Sequence, residues 1–365
     1  MEALFWSSVA LIVYVYAGYP ALLAVWARLS GPTAAGASSS SPQLHGEGSR
    51  WPGVTVIIAA RDEARRLPDR IDNILASSYA GDLQVVVASD GSSDDTMEVL
   101  ARIGSRVGAC LDAVTLPPGG KAAALNAAVA RARYPILVFA DARQRFAADA
   151  IRRLVGRFGD ERIGAVAGEL VIAGAGSTIG DGVGAYWAYE TWLRRHEATV
   201  GSTLGVSGAI YAMRRELWRA LPANTILDDV LAPMRVVLGG RRVVFEGGAR
   251  AYDDAAGDAA TELRRKVRTL AGNFQLLALE PRLLLPIANP VWLQFVSHKL
   301  GRLLVPYALV GLLVASVALT AGSAFYAVAC AGQLAFYGLA AYGAVLDRRR
   351  RHHPAASGEV FREAA

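Results

Sequence analysis

The chain opens with an apolar segment that predicts a membrane-spanning helix. Residues 3–27 contain no charged side chain. A helix of that length, at about 1.5 Å per residue, reaches roughly 37 Å and crosses a bilayer with some tilt. A cleaved signal peptide has basic residues before a shorter apolar region. Glu2 stands at that position instead, so we predict a transmembrane helix over residues 1–29.

A second uncharged run, near the C-terminus, is long enough for two helices. It covers residues 303–346 and contains the small residues TAGSA at 320–324, where we expect two predicted transmembrane helices to meet. The apolar segment before it, residues 283–302, is interrupted by Pro286 and Pro290. We predict that this segment lies in the membrane interface.

Basic residues flank each predicted span and indicate its orientation. They are Arg28, Lys299, Arg302 and Arg348–Arg351, and the positive-inside rule places such residues in the cytosol. We therefore expect a multi-pass protein of the inner (plasma) membrane. Its central region and its basic tail, residues 347–365, are both predicted to be cytosolic.

Composition agrees with a membrane protein and excludes several classes. The 365 residues are 53% hydrophobic and 19% charged, with a mean hydropathy of +0.30, which argues against disorder and against an ordinary soluble protein. The net charge of +6 suits contact with anionic membrane lipids, and without a base-stacking module it predicts no nucleic-acid partner. Two cysteines exclude a disulfide framework.

Between the predicted spans, short apolar strands alternate with amphipathic helices. Residues 30–51 are rich in Ser, Gly and Pro and are predicted to be a linker. The patterns predict strands at 54–58, 83–87 and 136–139, and helices at 64–76, 96–103 and 122–132. This alternation predicts an α/β domain with a parallel, Rossmann-like sheet whose ligand lies beyond the carboxyl ends of the strands.

Polar residues follow each of these strands, where a ligand is expected. The first strand leads into Ala60, Asp62 and Glu63, the second into Asp90, and the third into Asp141 and Arg143. For Asp90 and Asp141 the alternative is an Asx turn at a strand end. For the Ser93–Asp95 segment the alternative is a turn with an N-cap for the next helix.

Six segments in this order carry a resemblance to a known family. They are VTVIIAARDE at 54–63, VASDGS at 87–92, GKAAALN at 120–126, FADAR at 139–143, LDD at 227–229 and RKVR at 265–268. They resemble motifs of the inverting, membrane-associated glycosyltransferase family 2, which includes cellulose, chitin, hyaluronan and poly-N-acetylglucosamine synthases. The resemblance covers about residues 52–280 and implies a cytosolic GT-A catalytic domain over residues 52–282.

The resemblance implies a nucleotide-sugar donor, UDP-linked, held by residues of these segments. The implied donor-binding residues are Ala60, Asp62, Glu63, Asp90, Lys121, Asp141, Arg143 and Arg268. Physical reasoning supports Lys121, because an ammonium at a helix N-terminus after a Gly-rich turn is a good site for a diphosphate. The alternative is a solvated surface lysine.

Inversion needs a carboxylate to take the proton of the acceptor hydroxyl. The resemblance places Asp229 in that role, with Asp228 orienting it or raising its pKa; a plain N-cap is the alternative for Asp229. The segment SGAIYAMRR at 207–215 resembles the acceptor-side strand, so Gly208 and Tyr211 are predicted to contact the acceptor.

Two departures from the family pattern bear on the cofactor and the product. In the DxD segment Arg143 replaces the second acid, so either Asp141 recruits Mg²⁺ or Mn²⁺ with the donor phosphates, or Arg143 itself neutralises them. In the QxxRW segment Thr269 replaces Trp, which weakens the case for long-chain synthesis. The basic residues around Arg268 then hold the diphosphate, lie on anionic lipid or form a solvated face.

These observations predict an inverting hexosyltransferase that builds a cell-surface polysaccharide or oligosaccharide on a saccharide acceptor. One alternative is transfer to a polyprenyl-phosphate lipid carrier. The other is a non-catalytic membrane scaffold that keeps a nucleotide-binding domain.

Overall fold

The computed structural model describes residues 1–31, 51–173, 178–254 and 259–352. Most of the predicted linker and the end of the predicted basic tail lie outside these residues. The chain divides into two compact units. One contains Met1–Gly18 and the described part of Gly301–Ala365, and the other contains the described parts of Tyr19–Gly257 and Thr261–Leu300.

One eight-stranded sheet forms the centre of the second unit. Its strands are β1 Val54–Ala60, β2 Leu83–Asp90, β3 Leu111–Leu116, β4 Ile136–Ala140, β5 Arg145–Phe146, β6 Ile163–Ala173, β7 Ile210–Arg214 and β8 Arg242–Asp254. Their spatial order is β3-β2-β1-β4-β7-β6-β8-β5.

The described helices are α1 Glu2–Val13, α2 Tyr19–Leu29, α3 Leu67–Leu75, α4 Thr96–Val107, α5 Lys121–Ala130, α6 Ala150–Gly156, α7 Thr178–Val200, α8 Asp228–Leu238, α9 Ala259–Leu279, α10 Trp292–Gln294, α11 Gly301–Leu319 and α12 Ala324–His352. The predicted helices in the α/β region correspond to α3, α4 and α5. The helix predicted from residue 64 begins only at Leu67, with Pro68 in its first turn, where a missing N–H costs nothing.

The sheet is mixed, so the prediction of a parallel sheet is correct for the strands from which it was made and wrong for β7 and β5. β6 and β8 pair parallel to each other, and β5 pairs antiparallel with β8. β3, β2, β1 and β4 run parallel, whereas β7 pairs antiparallel with both β4 and β6. The physical reason is connectivity. Helical crossovers link the first four strands and return the chain in one direction, but β7 enters between β4 and β6 from the opposite end.

Helices and loops cover both faces of the sheet, which explains the uninterrupted apolar strands. On β1, Ile57 belongs to one hydrophobic cluster, and Val56 and Ile58 belong to another on the opposite face. Strands buried on both sides lose the polar alternation of a half-exposed strand. The carboxyl ends of β1, β2 and β4 therefore converge on one rigid edge.

Three helical segments are long and apolar enough to cross a membrane, among the residues that the structure describes: Glu2–Leu29, Trp292–Leu319 and Ala324–Gly343. This confirms one N-terminal and two C-terminal candidate spans, with the break between α11 and α12 at residues 320–323. The second segment begins at Trp292, inside the stretch that the sequence assigned to the membrane interface. That interfacial placement stays a prediction.

The turn after β2 has a backbone conformation and a close contact that favour glycine at position 91. Gly91 has φ of +61°, and a β-carbon there would lie 2.4 Å from Cγ of Pro118. We expect Gly91→Ala to lower the free energy of unfolding by about 1–3 kcal/mol. Gly104→Ala is the matched control, because that glycine lies in α4 with open space around it and alanine favours helix by about 1 kcal/mol. Thermal unfolding in detergent measures both variants, and equal midpoints would contradict the expectation.

Candidate active site

Asp90 organises the turn that leads into α5. Its carboxylate is buried at the end of β2. Its Oδ1 accepts the Gly119 N–H at 2.6 Å and the Gly120 N–H at 2.9 Å. Gly120 has φ of +83°, a conformation that glycine adopts without strain. These hydrogen bonds join Asp90 to residues about 30 positions later in the chain, so they are not those of an Asx turn. They hold the turn directly before Lys121, the first residue of α5.

The loop after β1 is tied to the loop after β2. Asp62 has φ of +54°; its Oδ1 accepts the Ser93 N–H at 2.7 Å and its own N–H donates to Ser92 Oγ at 3.1 Å. The N–H of Glu63 donates to Thr96 Oγ1 at 3.0 Å. The Asp62 carboxylate therefore holds the two loops together, while Ala60 lies buried at the end of β1.

The segment at Ser93–Asp95 forms the turn expected before α4, but its capping group differs from a simple N-cap. Asp95 is the N-cap residue and makes no side-chain capping bond. Asp94 instead accepts the Thr96 N–H at 3.1 Å.

Lys121 lies among three carboxylates rather than on a solvated surface. Its Nζ is 3.2 Å from Asp141 Oδ1 and 3.4 Å from Asp228 Oδ2. Burial lowers the pKa of Lys121, but the charges of Asp141, Asp228 and Asp229 outweigh this and raise its pKa above the usual value. The side chain is therefore an ammonium throughout the neutral range.

Asp228 and Asp229 begin α8 in different environments. Asp228 is buried. Burial raises its pKa to about 6; Lys121 opposes this rise, and Asp229 and Asp141 add to it. Asp229 is only partly buried, and the N-cap residue of α8 is Leu227, not Asp229. The pair thus combines an enclosed carboxylate with a more accessible one.

Gly208 lies directly beside this cluster. A β-carbon on Gly208 would lie 3.3 Å from Lys121 Nζ and 3.8 Å from Asp229 Oδ2. A side chain at this position would therefore fill the space between the ammonium and the carboxylate. The glycine leaves that space free for a ligand.

Tyr211 lies beneath the acidic cluster on β7. Its side chain is 1% exposed, and its ring stacks on Phe139 with centroids 4.3 Å apart. Burial raises the pKa of Tyr211 well above its usual value, and Asp228, Asp229 and Asp141 raise it further. Its hydroxyl is therefore neutral, and direct contact with an acceptor stays a prediction.

Arg143 is paired with an acid that the sequence analysis did not single out. Its Nη2 is 2.5 Å from Oδ2 of Asp253 at the end of β8, and Gln144 Nε2 donates to the same oxygen at 2.9 Å. Asp253 is 8% exposed, whereas the Arg143 side chain is 41% exposed, so an exposed guanidinium is paired with a buried carboxylate. Asp253 lies in none of the six segments that carry the resemblance, so no motif singles it out in the sequence.

Arg70 is a second residue that the sequence analysis missed. It is 2% exposed, and its guanidinium lies 4.0 Å over the Phe146 ring. Its Nε donates to the backbone carbonyl of Asp141 at 3.1 Å. Burial lowers the pKa of Arg70 to about 10, against an opposing effect of Asp141. An arginine on a predicted amphipathic helix gives no sign that it is buried.

Arg268 lies apart from the cluster, on α9. Its Nη2 donates to the Ile226 carbonyl at 3.3 Å, so it contacts the loop that precedes Asp228. Of the sequence-predicted site residues, the structure brings Lys121, Asp141, Asp228, Asp229 and Gly208 together. Asp62, Glu63, Asp90, Arg143 and Arg268 support the loops around them.

The donor set at Asp141 fits a divalent cation that binds together with a phosphate ligand. Within the described ranges, no three His, Cys, Asp or Glu side chains are grouped to hold a metal ion. Mg²⁺ in phosphate-binding sites commonly takes one or two protein carboxylates and completes its shell with phosphate oxygens and water. Asp141, with a side chain 39% exposed, can supply such a carboxylate.

Comparison with known sequences gives one family and several relatives. Residues 52–272 match the family described as "Glycosyltransferase like family 2". The chain is 24% identical over 234 residues to the poly-beta-1,6-N-acetyl-D-glucosamine synthase of Staphylococcus aureus (strain COL), covering 62% of this chain and 55% of that protein. It is 27% identical over 295 residues to an N-acetylglucosaminyltransferase of Rhizobium sp. (strain N33), covering 74% and 63% respectively. The chain thus spans just over half the length of these relatives.

Among solved structures, the fold resembles that of the mannosyltransferase PcManGT from Pyrobaculum calidifontis in complex with GDP-Man and Mn²⁺. The TM-score is 0.67 at 23% identity, over 91% of this chain and 92% of that one. This likeness confirms the predicted GT-A-like α/β fold.

The raised pKa of Asp228 predicts a pH-dependent cost of burying its charge. The pKa of Asp228 is about 6 in the folded protein and 3.8 in the unfolded chain, so folding favours the protonated carboxyl. Its contribution to the free energy of unfolding is fully present below pH 3.8 and is lost as pH rises through about 6. We expect Asp228→Asn to unfold roughly 5 °C higher than wild type at pH 7.5, with the difference shrinking towards pH 5. Scanning fluorimetry in detergent measures this, with the exposed Asp69→Asn as control. A pH-independent difference would contradict the assignment.

Proposed function

The chain belongs to glycosyltransferase-like family 2, and we propose that it transfers a hexose with inversion from a UDP-sugar to a saccharide acceptor. The product is a cell-surface polysaccharide or oligosaccharide. The observation that carries the proposal is that Lys121 Nζ and the Asp229 carboxylate both border the space beside Gly208, 3.3 Å and 3.8 Å from where its β-carbon would lie.

Lys121 serves the donor in this proposal. The leaving diphosphate gains negative charge as the glycosidic bond breaks, and a fixed ammonium at a helix N-terminus stabilises that charge. Asp90 holds the turn before Lys121 through Gly119 and Gly120, so the ammonium is positioned before the donor binds. Electrostatic preorganisation of this kind lowers the barrier to transfer.

Asp229 serves the acceptor. It is the more accessible of the two carboxylates, so it can take the proton from an acceptor hydroxyl that attacks the anomeric carbon. Asp228 is held by Lys121 and acts as a positioning residue for the first turn of α8. Gly208 leaves room for the acceptor ring beside Asp229.

A divalent cation, Mg²⁺ or Mn²⁺, would complete the charge balance at Asp141. Asp141, Asp228 and Asp229 against Lys121 leave a net charge of −2 when all are ionised, and a nucleotide diphosphate adds more negative charge. Asp141 would hold the cation, which would neutralise donor phosphates. Arg143 is already paired with Asp253, so it does not replace the metal cation.

The membrane orientation supports a cytosolic reaction. Arg28 lies at the end of the first candidate span, Lys299 and Arg302 lie in the first part of the second, and Arg348–Arg351 follow the third. By the positive-inside rule we place the catalytic domain in the cytosol at the inner (plasma) membrane. Cytosolic nucleotide sugars then reach the site, and the acceptor is either saccharide or lipid-linked.

Nucleotide release tests the assignment of the base. We expect purified protein to release UDP from a UDP-sugar within a panel of UDP-, GDP- and TDP-sugars, and Asp229→Asn to slow release by about 10²–10⁴-fold. The control is Asp69→Asn, which removes an exposed carboxylate on α3. Equal rates in the two variants would refute Asp229 as the base, and no release from any donor would favour the scaffold alternative.

Analysis of the product distinguishes the two transferase alternatives. A ladder of saccharides supports polysaccharide synthesis, whereas a butanol-extractable glycolipid supports the lipid-carrier alternative.

Metal removal tests the role of Asp141. We expect EDTA to abolish UDP release and Mg²⁺ or Mn²⁺ to restore it. We also expect Mn²⁺ to bind in the presence of UDP, as measured by electron paramagnetic resonance, and this binding to be lost in Asp141→Asn. Full turnover in excess EDTA would contradict the role of a metal and would assign its share of phosphate neutralisation to Arg143, beside Lys121.

A further inference from the structure

A fully buried carboxylate lies outside the active site, near the end of α7. Glu197 is 0% exposed. Its Oε1 accepts a hydrogen bond from the Tyr19 hydroxyl at 2.9 Å and lies 2.6 Å from Nδ1 of His298. Its Oε2 has no hydrogen-bond partner among the residues that the structure describes. An enclosed carboxylate is costly unless it is paired, so Tyr19 and His298 hold Glu197 in place.

Both partners of Glu197 belong to candidate membrane spans. Tyr19 lies in the span Glu2–Leu29 and His298 in the span Trp292–Leu319, and both side chains are buried. Ionisable side chains inside membrane spans are costly and commonly mark functional sites. We name Tyr19, Glu197 and His298 the α7 anchor.

The chain departs from regular α-helix where it meets the α7 anchor. Tyr14–Gly18, directly before Tyr19, and Phe295–Leu300, which includes His298, form π-helical turns. Such turns are rare and are frequent at functional sites. Nε2 of His298 also lies 3.7 Å from Oε2 of Glu190, a second buried acid of α7. The histidine therefore faces two acids of the same helix.

A neighbouring glutamine holds the main chain at the same point. Nε2 of Gln294 donates to the Glu197 carbonyl at 3.1 Å, and the Gly201 N–H donates to the same carbonyl at 3.0 Å. A β-carbon on Gly201 would lie 3.1 Å from Oε1 of Gln294. The end of α7 is therefore held through both the side chain and the main chain of Glu197.

The segment after α7 leads to the space beside Gly208. Residues 201–208 are buried or partly buried. The N–H of Val206 donates to the main-chain carbonyl of Asp229 at 2.9 Å. Close-packed interiors transmit displacements, so a shift at the end of α7 reaches Gly208 along this segment.

We propose that the α7 anchor positions the acceptor side of the active site. Tyr19 and His298 fix Glu197, and through the end of α7 they fix residues 201–208 and the space beside Gly208. This role rests on the proposed function, in which that space takes the acceptor ring. His298 is a positioning residue, because it acts through Glu197.

The donor side of the site is held by other contacts. Asp90 fixes the turn before α5, and Lys121 contacts Asp141. Loosening the α7 anchor is therefore expected to leave UDP binding intact. Water is smaller than a saccharide and tolerates a displaced acceptor space, so hydrolysis of the donor persists while transfer fails.

Hydrogen exchange of the full chain in detergent tests the α7 anchor without any activity. We expect His298→Ala to speed amide exchange in residues 201–208 by about tenfold, with no change in residues 119–126. His298→Asn keeps a side-chain N–H donor for Glu197 and is expected to restore most of the protection. Wild-type exchange in residues 201–208 of His298→Ala would overturn the proposal, as would equally faster exchange in residues 119–126.

Two further variants complete the exchange experiment. His196→Ala is the matched control, because Nδ1 of His196 contacts the Trp192 carbonyl of its own helix, and we expect wild-type exchange. Tyr19→Phe removes one hydroxyl and keeps the ring, and we expect about threefold faster exchange in residues 201–208. If His298→Ala does not fold, Tyr19→Phe decides, and unchanged exchange in that variant overturns the proposal.

The ratio of transferred sugar to released UDP measures the effect on the reaction. The probe is the radiolabelled UDP-sugar from which wild type releases UDP, in membrane vesicles that supply the acceptor. We expect His298→Ala to lower the ratio by about tenfold, His298→Asn to recover most of it and His196→Ala to keep it. Binding of Mn²⁺ with UDP, measured by electron paramagnetic resonance, is expected to stay at the wild-type level in all three variants.

The two measurements separate this proposal from the proposed function. Faster exchange with an unchanged ratio in His298→Ala overturns the role of the α7 anchor in transfer while the proposed function stands. Absence of UDP release by wild type overturns the proposed function, and hydrogen exchange still decides whether the anchor holds residues 201–208.

Discussion

The active-site edge depends on one ammonium group surrounded by carboxylates. Lys121 Nζ contacts Asp141 and Asp228, and with Asp229 these residues come from α5, the end of β4 and the start of α8. Without the Lys121 ammonium, the three carboxylates would repel one another at a partly buried site. The ammonium thus allows acids from separate elements to share one small space, and this concentration of acids distinguishes the edge from an ordinary strand end.

Backbone contacts, rather than further charges, fix the position of this cluster. The Asp90 carboxylate accepts hydrogen bonds from two glycine N–H groups. The buried Arg70 guanidinium donates hydrogen bonds to the Asp141 carbonyl and to Asn73. Hydrogen bonds from charged groups are stronger than neutral ones and define geometry. Because these contacts fix the backbone, the cluster around the ligand space can keep more carboxylates than ammonium groups.

The sequence predicts the strands β1, β2 and β4 and the three candidate spans from local signals, and the residues of the cluster from the motifs that carry the family resemblance. Strand–helix alternation identifies β1, β2 and β4, and uncharged runs identify the spans. Partners distant in the chain leave no such signal. Asp253 meets Arg143 across 110 positions, and Arg70 meets Asp141 across 71. The antiparallel direction of β7 depends on its pairing with β4 and β6, which are distant in the sequence. A short stretch of sequence therefore does not predict it.

The Arg143–Asp253 pair limits how this site can change. Asp253 is enclosed, and its Oδ1 has no hydrogen-bond partner among the described residues. An enclosed carboxylate that loses its cation is strongly destabilising. Restoring an acid at position 143 alone would place two negative charges together, and removing Asp253 alone would free Arg143 from its anchor. The two positions are therefore energetically coupled, and a change of charge at one of them is expected to be tolerated only with a compensating change at the other.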